Sequence, residues 1–322
     1  MKVLLLGGAG FIGLHLARRL VADGCNVTIV DDFSRGRRDA ELDAVSAHDN
    51  VRIVSADLTD PATYAELPHG WDQIYLLAAV VGVRNVEQDP ARVVRVNTLA
   101  AMHTVAWVAP GERVFFASTS EVYAGGVDAG VVPVPTAENV PTMISDITQP
   151  RFAYAVSKLL GEAAFLHTAR ARGFEAIVGR FHNVYGPRMG ADHVIPEMSL
   201  RARDGEDPFR VPGADQFRAF CHVDDAVEAM VRLMATPEAA DQIVHIGNDR
   251  GETNIGDLAE LVLRVAGSGA AVEASPAPRG SVTRRCPDLT RLRDLTGYEP
   301  KVSLEEGVQA TYAWYASHGR PA

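Results

Sequence analysis

The chain has 322 residues, of which 47% are hydrophobic and 22% charged, as in an ordinary globular protein with one large or two modest domains. Its formal net charge of −10 argues against nucleic acid or an acidic membrane as the main partner, and no stretch is apolar enough to cross a bilayer. The three cysteines are widely spaced and form no Cys-x-x-Cys pair. We therefore expect reduced thiols and a cytoplasmic protein.

A glycine-rich turn follows the first predicted strand. Residues 3–6 are continuously apolar, which is typical of a strand buried on both faces, and an amphipathic helix is predicted after the turn. Glycines at this spacing allow a tight turn and close approach of the backbone to a pyrophosphate at the helix N-terminus. The turn therefore predicts a dinucleotide site. Its candidate residues are Gly7, Gly10, Phe11, Ile12 and Gly13.

The second predicted strand, residues 27–30, ends in two carboxylates, Asp31 and Asp32. A carboxylate about 20 residues after the glycine turn hydrogen-bonds the adenosine ribose and repels a 2′-phosphate, which favours NAD over NADP. Three arginines follow that can accept a 2′-phosphate but that we interpret as a solvated loop: Arg35, Arg37 and Arg38.

Strands and helices then alternate along the chain. Apolar runs predict strands at residues 51–55, 74–79, 113–117, 176–181 and 243–247. The alternation predicts an α/β fold with a Rossmann-type doubly wound parallel sheet. Asp57 and Leu58 follow the third strand, where Asp57 is placed to meet the adenine, and Ala78 is one of the small residues at the end of the fourth strand that let a nicotinamide ribose lie close. Asn97, inside a predicted helix at residues 91–108, is interpreted as a packing residue.

Two domains are expected. Residues 1–181 are predicted to form the NAD-binding domain, with a returning strand at 243–247, and residues 182–322 a smaller C-terminal α/β substrate domain. No pair of histidines has metal-ligand spacing, so no metal is expected. The C-terminal part is interrupted by Pro and Gly and contains Arg210, Arg218, Arg279, Arg284 and Arg285.

Tyr154 and Lys158 are the candidate catalytic pair. On a helix they lie one turn apart on the same face. A lysine ammonium there favours the neighbouring phenolate, which lowers a phenol pKa from about 10 toward neutrality and lets the phenolate accept a proton from an alcohol. The fifth strand runs into hydroxyls and a carboxylate at residues 118–123, and the turn-rich stretch 124–150 predicts a loop that covers the substrate.

Four features occur in a characteristic order: the glycine turn, Asp31, the STSEVY run at residues 118–123 and Tyr154-x-x-x-Lys158. Together they resemble the extended short-chain dehydrogenases/reductases that modify nucleotide sugars. The resemblance extends to the segments at residues 180–188, 218–225 and 284–288. It implies bound NAD, a nucleotide-sugar substrate oxidised at carbon 4, and a homodimer packed through the helices near residues 91–108 and 154–172.

The same resemblance implies residue roles. Tyr154 would take the proton of the 4-hydroxyl, Lys158 would tune Tyr154 and hold the nicotinamide ribose, and Thr119 would hydrogen-bond the same hydroxyl. The glycines of the turn and Asp31 would hold the cofactor, with Asp57 at the adenine. The candidates for holding the nucleotide diphosphate or a neighbouring part of the substrate are Ser120, Asn183, Arg218 and Arg285.

Glu121 and Arg285 decide which product is expected. A glutamate with restricted solvation can act as acid or base, and its Thr-Ser-Glu-Val-Tyr run is similar to that of UDP-glucuronate decarboxylases. Arg285 would face a uronate carboxylate. Ser120 stands where 4,6-dehydratases often have Asp, whereas residues 77–83 resemble the 4-epimerase pattern.

We therefore expect a UDP-glucuronate decarboxylase. A nucleotide-sugar 4-epimerase is the first alternative and a 4,6-dehydratase the second. A dinucleotide-binding sensor without catalysis is the alternative from another class. For Glu121 itself, the alternative role is that of a loop carboxylate paired with a nearby arginine.

Overall fold

A computed structural model describes residues 1–277 and 282–320, so Arg279 lies outside the described residues. The strands are β1 (Lys2–Leu6), β2 (Asn26–Asp31), β3 (Val51–Ser55), β4 (Gln73–Leu76), β5 (Arg113–Thr119), β6 (Glu175–Phe181), β7 (Val184–Tyr185), β8 (Phe209–Pro212), β9 (Phe217–Ala219), β10 (Cys221–His222), β11 (Ile243–Ile246), β12 (Glu252–Asn254), β13 (Val272–Ser275) and β14 (Arg284–Arg285).

The helices are α1 (Phe11–Ala22), α2 (Ala40–Ser46), α3 (Pro61–Glu66), α4 (Val83–Gln88), α5 (Pro90–Trp107), α6 (Ala124–Asp128), α7 (Arg151–Arg172), α8 (Val194–Arg203), α9 (Val223–Ala235), α10 (Ile255–Ala266), α11 (Thr290–Thr296) and α12 (Leu304–His318). Short 3₁₀ helices lie at Ser120–Tyr123 and Pro237–Ala239. Among the described residues, no helix is both long and apolar enough to cross a membrane.

Seven parallel strands form the central sheet, in the order β11-β6-β5-β4-β1-β2-β3. In β1, Val3 and Leu5 are buried in one hydrophobic core, and Leu4 and Leu6 are buried in another. Successive side chains of a strand point to opposite faces, so a strand covered on both faces must be apolar throughout. The predicted doubly wound α/β fold is confirmed.

Two predicted elements differ in the structure. β4 ends at Leu76 rather than at residue 79, because the N–H groups of Leu77 and Ala78 both donate to the Leu6 carbonyl, at 2.8 and 2.9 Å, and the regular ladder stops there. The stretch predicted as a covering loop contains the short helix α6. Strand β4 thus ends three residues earlier than predicted, and the segment after β5 contains a helix that was not predicted.

Helices α5 and α7 pack side by side on one face of the sheet. The carboxylate of Asp89 accepts the N–H of Arg92 at 2.9 Å and caps α5, and α7 ends at Gly173 in the left-handed conformation with φ +77°. α7 begins at Arg151, which places Tyr154 in its first turn. The helix therefore presents Tyr154 at the carboxyl edge of the sheet.

The C-terminal part builds smaller units around a separate apolar cluster. β12, β9 and β14 form one small sheet, β13 and β8 a second, and β10 and β7 a third. Buried side chains from α8, α10 and α12, including Met198, Leu258 and Val308, form its core. Between these units the chain returns to the central sheet as β11, which pairs in parallel with β6. The small sheets bring β9 and β14 to the carboxyl end of the central sheet.

Candidate active site

A cavity of about 940 Å³ lies at the carboxyl ends of the parallel strands, within the range of small-molecule sites. Every candidate site residue from the sequence lines it: Gly7, Gly10, Phe11, Ile12, Gly13, Asp31, Asp32, Asp57, Leu58, Ala78, Thr119, Ser120, Glu121, Tyr154, Lys158, Asn183, Arg218 and Arg285. The structure therefore brings the candidates together, although they are spread over some 280 residues of sequence.

The glycine turn has the form that a bound diphosphate requires. Gly7 has φ +89°, and a Cβ there would lie 2.5 Å from the Ala78 nitrogen. A Cβ on Gly13 would lie 2.6 Å from the Gly8 Cα, so only glycine allows this packing of helix on strand. Gly10 is the N-cap residue just before α1, and no side chain caps the helix there. The first N–H groups of α1 thus face the cavity without a side-chain acceptor, and the turn fits a dinucleotide.

Asp31 lies at the end of β2 and is nearly buried, with 7% exposed. Its carboxylate accepts the N–H of Ala9 at 3.0 Å and that of Phe33 at 2.9 Å. Burial raises the pKa of Asp31, and the two N–H bonds partly offset that effect. A carboxylate has about four acceptor positions, so Asp31 can still accept ribose hydroxyls. This geometry fits the adenosine of NAD.

Arg188 is a site residue to which the sequence assigned no role. Its buried guanidinium donates to the carbonyls of Ala9 at 3.0 Å and Gly10 at 3.2 Å, and it forms an ion pair with Asp39 at 2.7 Å. It thus ties the loop after β7 to the glycine turn, 178 residues earlier in the chain. In the sequence, only the family resemblance of residues 180–188 pointed to Arg188, and it did not indicate that Arg188 contacts the glycine turn.

Asn97 was predicted to be a packing residue, and its contacts agree. Its side-chain oxygen accepts the N–H of Val80 at 2.7 Å, and its amide donates to the Val80 carbonyl at 3.1 Å and to the Ser157 hydroxyl at 3.2 Å. Helix α5 therefore holds the segment after β4 by both backbone groups of one residue and links it to α7.

Tyr154 and Thr119 both line the cavity and interact with each other. The Thr119 hydroxyl accepts the N–H of Glu121 at 3.2 Å and is hydrogen-bonded to the Tyr154 phenol. Burial raises the pKa of Tyr154, the nearby charge of Glu121 raises it further, and the bond to Thr119 lowers it. In the protein alone, therefore, the phenol is protonated at neutral pH.

The expectation that Lys158 shifts the pKa of Tyr154 toward neutrality is wrong for the protein alone. The Lys158 ammonium donates to the Ala117 carbonyl at 2.7 Å and lies 5.9 Å from the centre of the Tyr154 ring. Burial lowers the pKa of Lys158 to about 8. Tyr154 and Lys158 do lie on one face of the helix, as the spacing predicts. The Lys158 side chain, however, extends past the tyrosine to β5, where its ammonium hydrogen-bonds the backbone beside the cavity.

Glu121 forms an ion pair with Arg285 at 2.7 Å, and Arg151 lies 3.9 Å away. Burial acts to raise the pKa of Glu121, but the charges of Arg285, Arg151 and Arg218 outweigh it, so the pKa is lowered. Without substrate, Glu121 is therefore a carboxylate rather than an acid or base poised near neutral pH. The alternative in which Glu121 pairs with a nearby arginine describes this geometry. Arg151 was missed, although its position three residues before Tyr154 on a helix places it near that face.

The remaining substrate candidates line the wall of the cavity that the C-terminal part of the chain supplies. Asn183 has φ +41°, and its amide donates to the Ala219 carbonyl at 3.0 Å. The Arg218 guanidinium donates to Gln216 at 3.0 Å, and burial together with the charge of Arg285 lowers the pKa of Arg218 to about 10. Two adjacent guanidinium groups that have lost part of their hydration suit an anionic ligand.

A buried ionic chain supports the site from behind. Glu162, one turn after Lys158 on α7, pairs with Arg180 at 2.6 Å, and both side chains are about 5% exposed. Glu162 also accepts the Ser118 hydroxyl, and Arg180 also donates to Tyr123. These bonds hold the end of β5, and with it the start of the 3₁₀ helix that presents Glu121, in one position against α7.

Comparisons of the sequence and of the structure with known proteins both point to enzymes that modify nucleotide sugars. Residues 3–247 match the model of the NAD dependent epimerase/dehydratase family. UDP-glucuronic acid decarboxylase 1 of Xenopus tropicalis is 32% identical over 98% of this chain and 72% of that protein. UDP-N-acetyl-alpha-D-glucosaminuronate decarboxylase of Bacillus cytotoxicus is 31% identical over 98% of this chain and 97% of that protein. The structure of a UDP-glucose 4-epimerase with UDP-glucose from Thermotoga maritima superimposes with a TM-score of 0.84, at 27% identity, over 98% of this chain and 99% of that one.

Proposed function

Because the chain belongs to the NAD dependent epimerase/dehydratase family, and is thus an NAD-dependent nucleotide-sugar enzyme, we propose that it is a UDP-glucuronate decarboxylase. The observation that carries the proposal is the Glu121–Arg285 ion pair, which lies on the cavity that Tyr154 and Thr119 also line. The Arg285 guanidinium suits the carboxylate of a uronate, and Glu121 offers a proton donor for the carbon that loses carbon dioxide. Plain 4-epimerisation requires neither.

Tyr154 is the proposed base for oxidation at carbon 4. Thr119 orients the 4-hydroxyl, and the Tyr154 phenolate takes its proton, while bound NAD supplies the hydride acceptor. Lys158, whose ammonium lies 5.9 Å from the centre of the Tyr154 ring, holds the nicotinamide ribose in this proposal. The pKa of Tyr154 in the protein alone is raised, so formation of the phenolate depends on charges that ligand binding adds.

Arg285 is proposed to bind the substrate carboxylate. A carboxylate that binds Arg285 competes with Glu121 for the same guanidinium, which leaves Glu121 beside a second negative charge. Loss of its partner and the new like charge both raise the pKa of Glu121 above its value in the free protein, so Glu121 can take up a proton. In this proposal, substrate binding releases Glu121 from its ion pair with Arg285 and allows its carboxyl group to be protonated, so that it can act as an acid.

The 4-ketone then makes the uronate a β-keto acid. The bond between carbons 5 and 6 breaks, carbon dioxide leaves, and the electron pair passes through carbon 5 to the ketone oxygen, which Tyr154 and Thr119 contact. Carbon 5 takes up one proton, which Glu121 delivers in this proposal. Tyr154 then returns its proton to the oxygen at carbon 4 as the hydride taken in the first step goes back to that carbon, so the cofactor ends as NAD and the product differs from the substrate only by the lost carbon dioxide. Ser120 stands in place of the aspartate that often precedes the glutamate in 4,6-dehydratases, which weighs against loss of water.

A 4-epimerase remains the second candidate. The cavity wall after β4 contains Ala79, Val80 and Val81, the small apolar segment that resembles epimerases, and a 4-epimerase superimposes over nearly the whole chain. In that case the Glu121–Arg285 pair would only shape the pocket. This alternative predicts a product with the mass of the substrate.

Product mass decides between the candidates. We expect purified protein incubated with UDP-glucuronate to form a product lighter by one carbon dioxide, as followed by mass spectrometry. Parallel incubations contain UDP-N-acetylglucosaminuronate and UDP-glucose. If only UDP-N-acetylglucosaminuronate lost carbon dioxide, the protein would be a decarboxylase of that uronate instead of UDP-glucuronate. An isobaric new peak would support epimerisation, and unchanged mass with both uronates would contradict the proposal.

Gly10→Ala tests the cofactor site separately. Within the protein, the added methyl would meet only the Gly7 carbonyl oxygen, at 3.5 Å, so it projects into the cavity that Gly10 lines. We expect the affinity for NAD to fall by at least about tenfold while the melting temperature of the ligand-free protein is unchanged, because the clash is with the ligand alone. Gly269→Ala is the control, since an added Cβ there meets nothing within 4 Å. Equal NAD affinity in both variants would refute the placement of the diphosphate.

A further inference from the structure

Arg35 spans the mouth of the cofactor half of the cavity. It lies in the loop after β2, and its guanidinium donates to the carbonyl of Val81, in the loop after β4, at 2.6 Å. β1 lies between β2 and β4 in the sheet, so the glycine turn that follows β1 lies between the two ends of this bridge. We call this bridge the Arg35 strap. The sequence had suggested only a solvated loop for Arg35.

Both ends of the strap are anchored. At the near end, the carboxylates of Asp31 and Asp32 accept the N–H groups of Phe33 at 2.9 Å and Ser34 at 2.8 Å, which fixes the loop that carries Arg35. Gly36 packs tightly there, because a Cβ would lie 2.6 Å from the Asp31 carboxylate. Arg35 is therefore presented from an ordered loop.

At the far end, Asn85 also donates to the Val81 carbonyl, at 2.8 Å, and Asn97 holds the preceding residue, Val80, by its N–H and its carbonyl. Burial and the charge of Arg35 together lower the pKa of His193 to about 4. The guanidinium is therefore close to His193, in the cavity wall that the C-terminal part supplies.

Among the described residues, Arg35 has no carboxylate at ion-pair distance. Within the part of the chain that the structure describes, its hydrogen bond is to a neutral carbonyl, and it forms no ion pair with a carboxylate. Arg188, on the other side of the glycine turn, is neutralised by Asp39. A diphosphate on the glycine turn would bring two negative charges between these two arginines, of which Arg188 has a carboxylate at ion-pair distance and Arg35 has none among the described residues.

We propose that Arg35 closes over the glycine turn and binds the diphosphate of the dinucleotide from the solvent side, so that the strap must open before the cofactor can leave. Helix α1 supplies N–H donors from below, and Arg35 supplies a cation from above. The Val81 carbonyl holds the guanidinium in place before the ligand arrives, which reduces the side-chain entropy lost on binding.

The test measures binding, so it is independent of which product forms. ADP-ribose, which carries the diphosphate but no nicotinamide, and UDP are titrated by calorimetry against wild type, Arg35→Gln and Arg38→Gln. Arg38 belongs to the same loop and lies over the Phe33 ring at 3.8 Å, so its variant is a matched charge control. We expect Arg35→Gln to weaken ADP-ribose binding by about 10- to 100-fold, the effect of losing one hydrogen bond to a charged group.

The affinity for UDP is expected to be unchanged in Arg35→Gln, and the affinity for both ligands unchanged in Arg38→Gln. NAD retained after gel filtration should also fall in Arg35→Gln, and Arg35→Lys, which keeps the charge, should give an intermediate affinity for ADP-ribose. A loss of UDP affinity without loss of ADP-ribose affinity would assign Arg35 to the substrate and overturn the proposal. So would equal ADP-ribose affinity in wild type, Arg35→Gln and Arg35→Lys.

Discussion

Tyr154→Phe is expected to lower kcat for the conversion of UDP-glucuronate by about 10²- to 10⁴-fold, the range that a general base contributes. The substitution removes the one phenol that is hydrogen-bonded to Thr119 in the cavity and leaves the ring in place. NAD affinity should change little, because the glycine turn and Asp31 are untouched. Steady-state kinetics and a NAD titration on the same preparation measure both quantities.

The pH dependence of the wild type follows from the same group. Burial raises the pKa of Tyr154, so the base form becomes more populated as pH rises, and kcat/KM, which reports the free enzyme, should increase with pH. Burial lowers the pKa of Lys158 to about 8, so its positive charge is present below that pH and is lost above it. We therefore expect the gain in kcat/KM to level off or reverse above about pH 8.

Tyr64→Phe is the matched control for Tyr154→Phe. It removes another buried phenol, one that hydrogen-bonds Thr104 outside the cavity. Its kcat should equal that of the wild type. If Tyr154→Phe retained the wild-type rate, or if Tyr64→Phe lost as much, Tyr154 would not be the base.

Glu121→Gln is expected to lower kcat for release of carbon dioxide by about 10²-fold or more, because the amide cannot deliver a proton to carbon 5. Oxidation at carbon 4 does not need this carboxylate, so a single turnover with UDP-glucuronate should still reduce bound NAD, which absorbance at the nicotinamide wavelength detects. Because the bond between carbons 5 and 6 breaks before carbon 5 is protonated, the expected signature is at most one carbon dioxide released per active site, with the cofactor left reduced and no further turnover. If the chain is an epimerase, the variant should retain its activity.

Asp128→Asn is the control for the charge change. Asp128 pairs with Arg151 at 3.5 Å, as Glu121 does at 3.9 Å, so both variants remove one negative charge beside the same arginine. Asp128 does not line the cavity. Carbon dioxide release should therefore be normal in Asp128→Asn. Equal losses in the two variants would mean that Glu121 acts only through Arg151 and the local fold.

Local patterns predicted the sheet and the cofactor half of the site well. The buried strand before Gly7 and the carboxylate of Asp31 at a strand end can each be recognised from a few consecutive residues. Parallel strands bring their carboxyl ends to one edge, so residues that follow strands were expected to meet there, and they all line one cavity. The family resemblance added Asn183, Arg218 and Arg285, whose approach no local pattern indicates.

What the sequence missed depends on tertiary contact. The bonds of Arg35 to Val81 and of Arg188 to Ala9 join residues 46 and 179 positions apart, and neither spacing carries a signal. The pKa of Tyr154 was predicted in the wrong direction because helical spacing does not report burial or where the Lys158 ammonium points. Glu121 was expected to act as acid or base near neutral pH, but the arginines that the fold gathers around it lower its pKa, as in the alternative of a loop carboxylate paired with an arginine.

The position of β11 has a consequence for synthesis of the chain. β11 covers the outer edge of β6, but it is separated from β6 by the residues that build much of the C-terminal part. At about 5–20 residues per second, a ribosome needs about 3–13 s to pass from the end of β6 to the end of β11. During that interval the nascent sheet presents unpaired backbone groups to other chains. Cutting the gene after residue 181 would make that exposure permanent, so a fragment of the first 181 residues should aggregate.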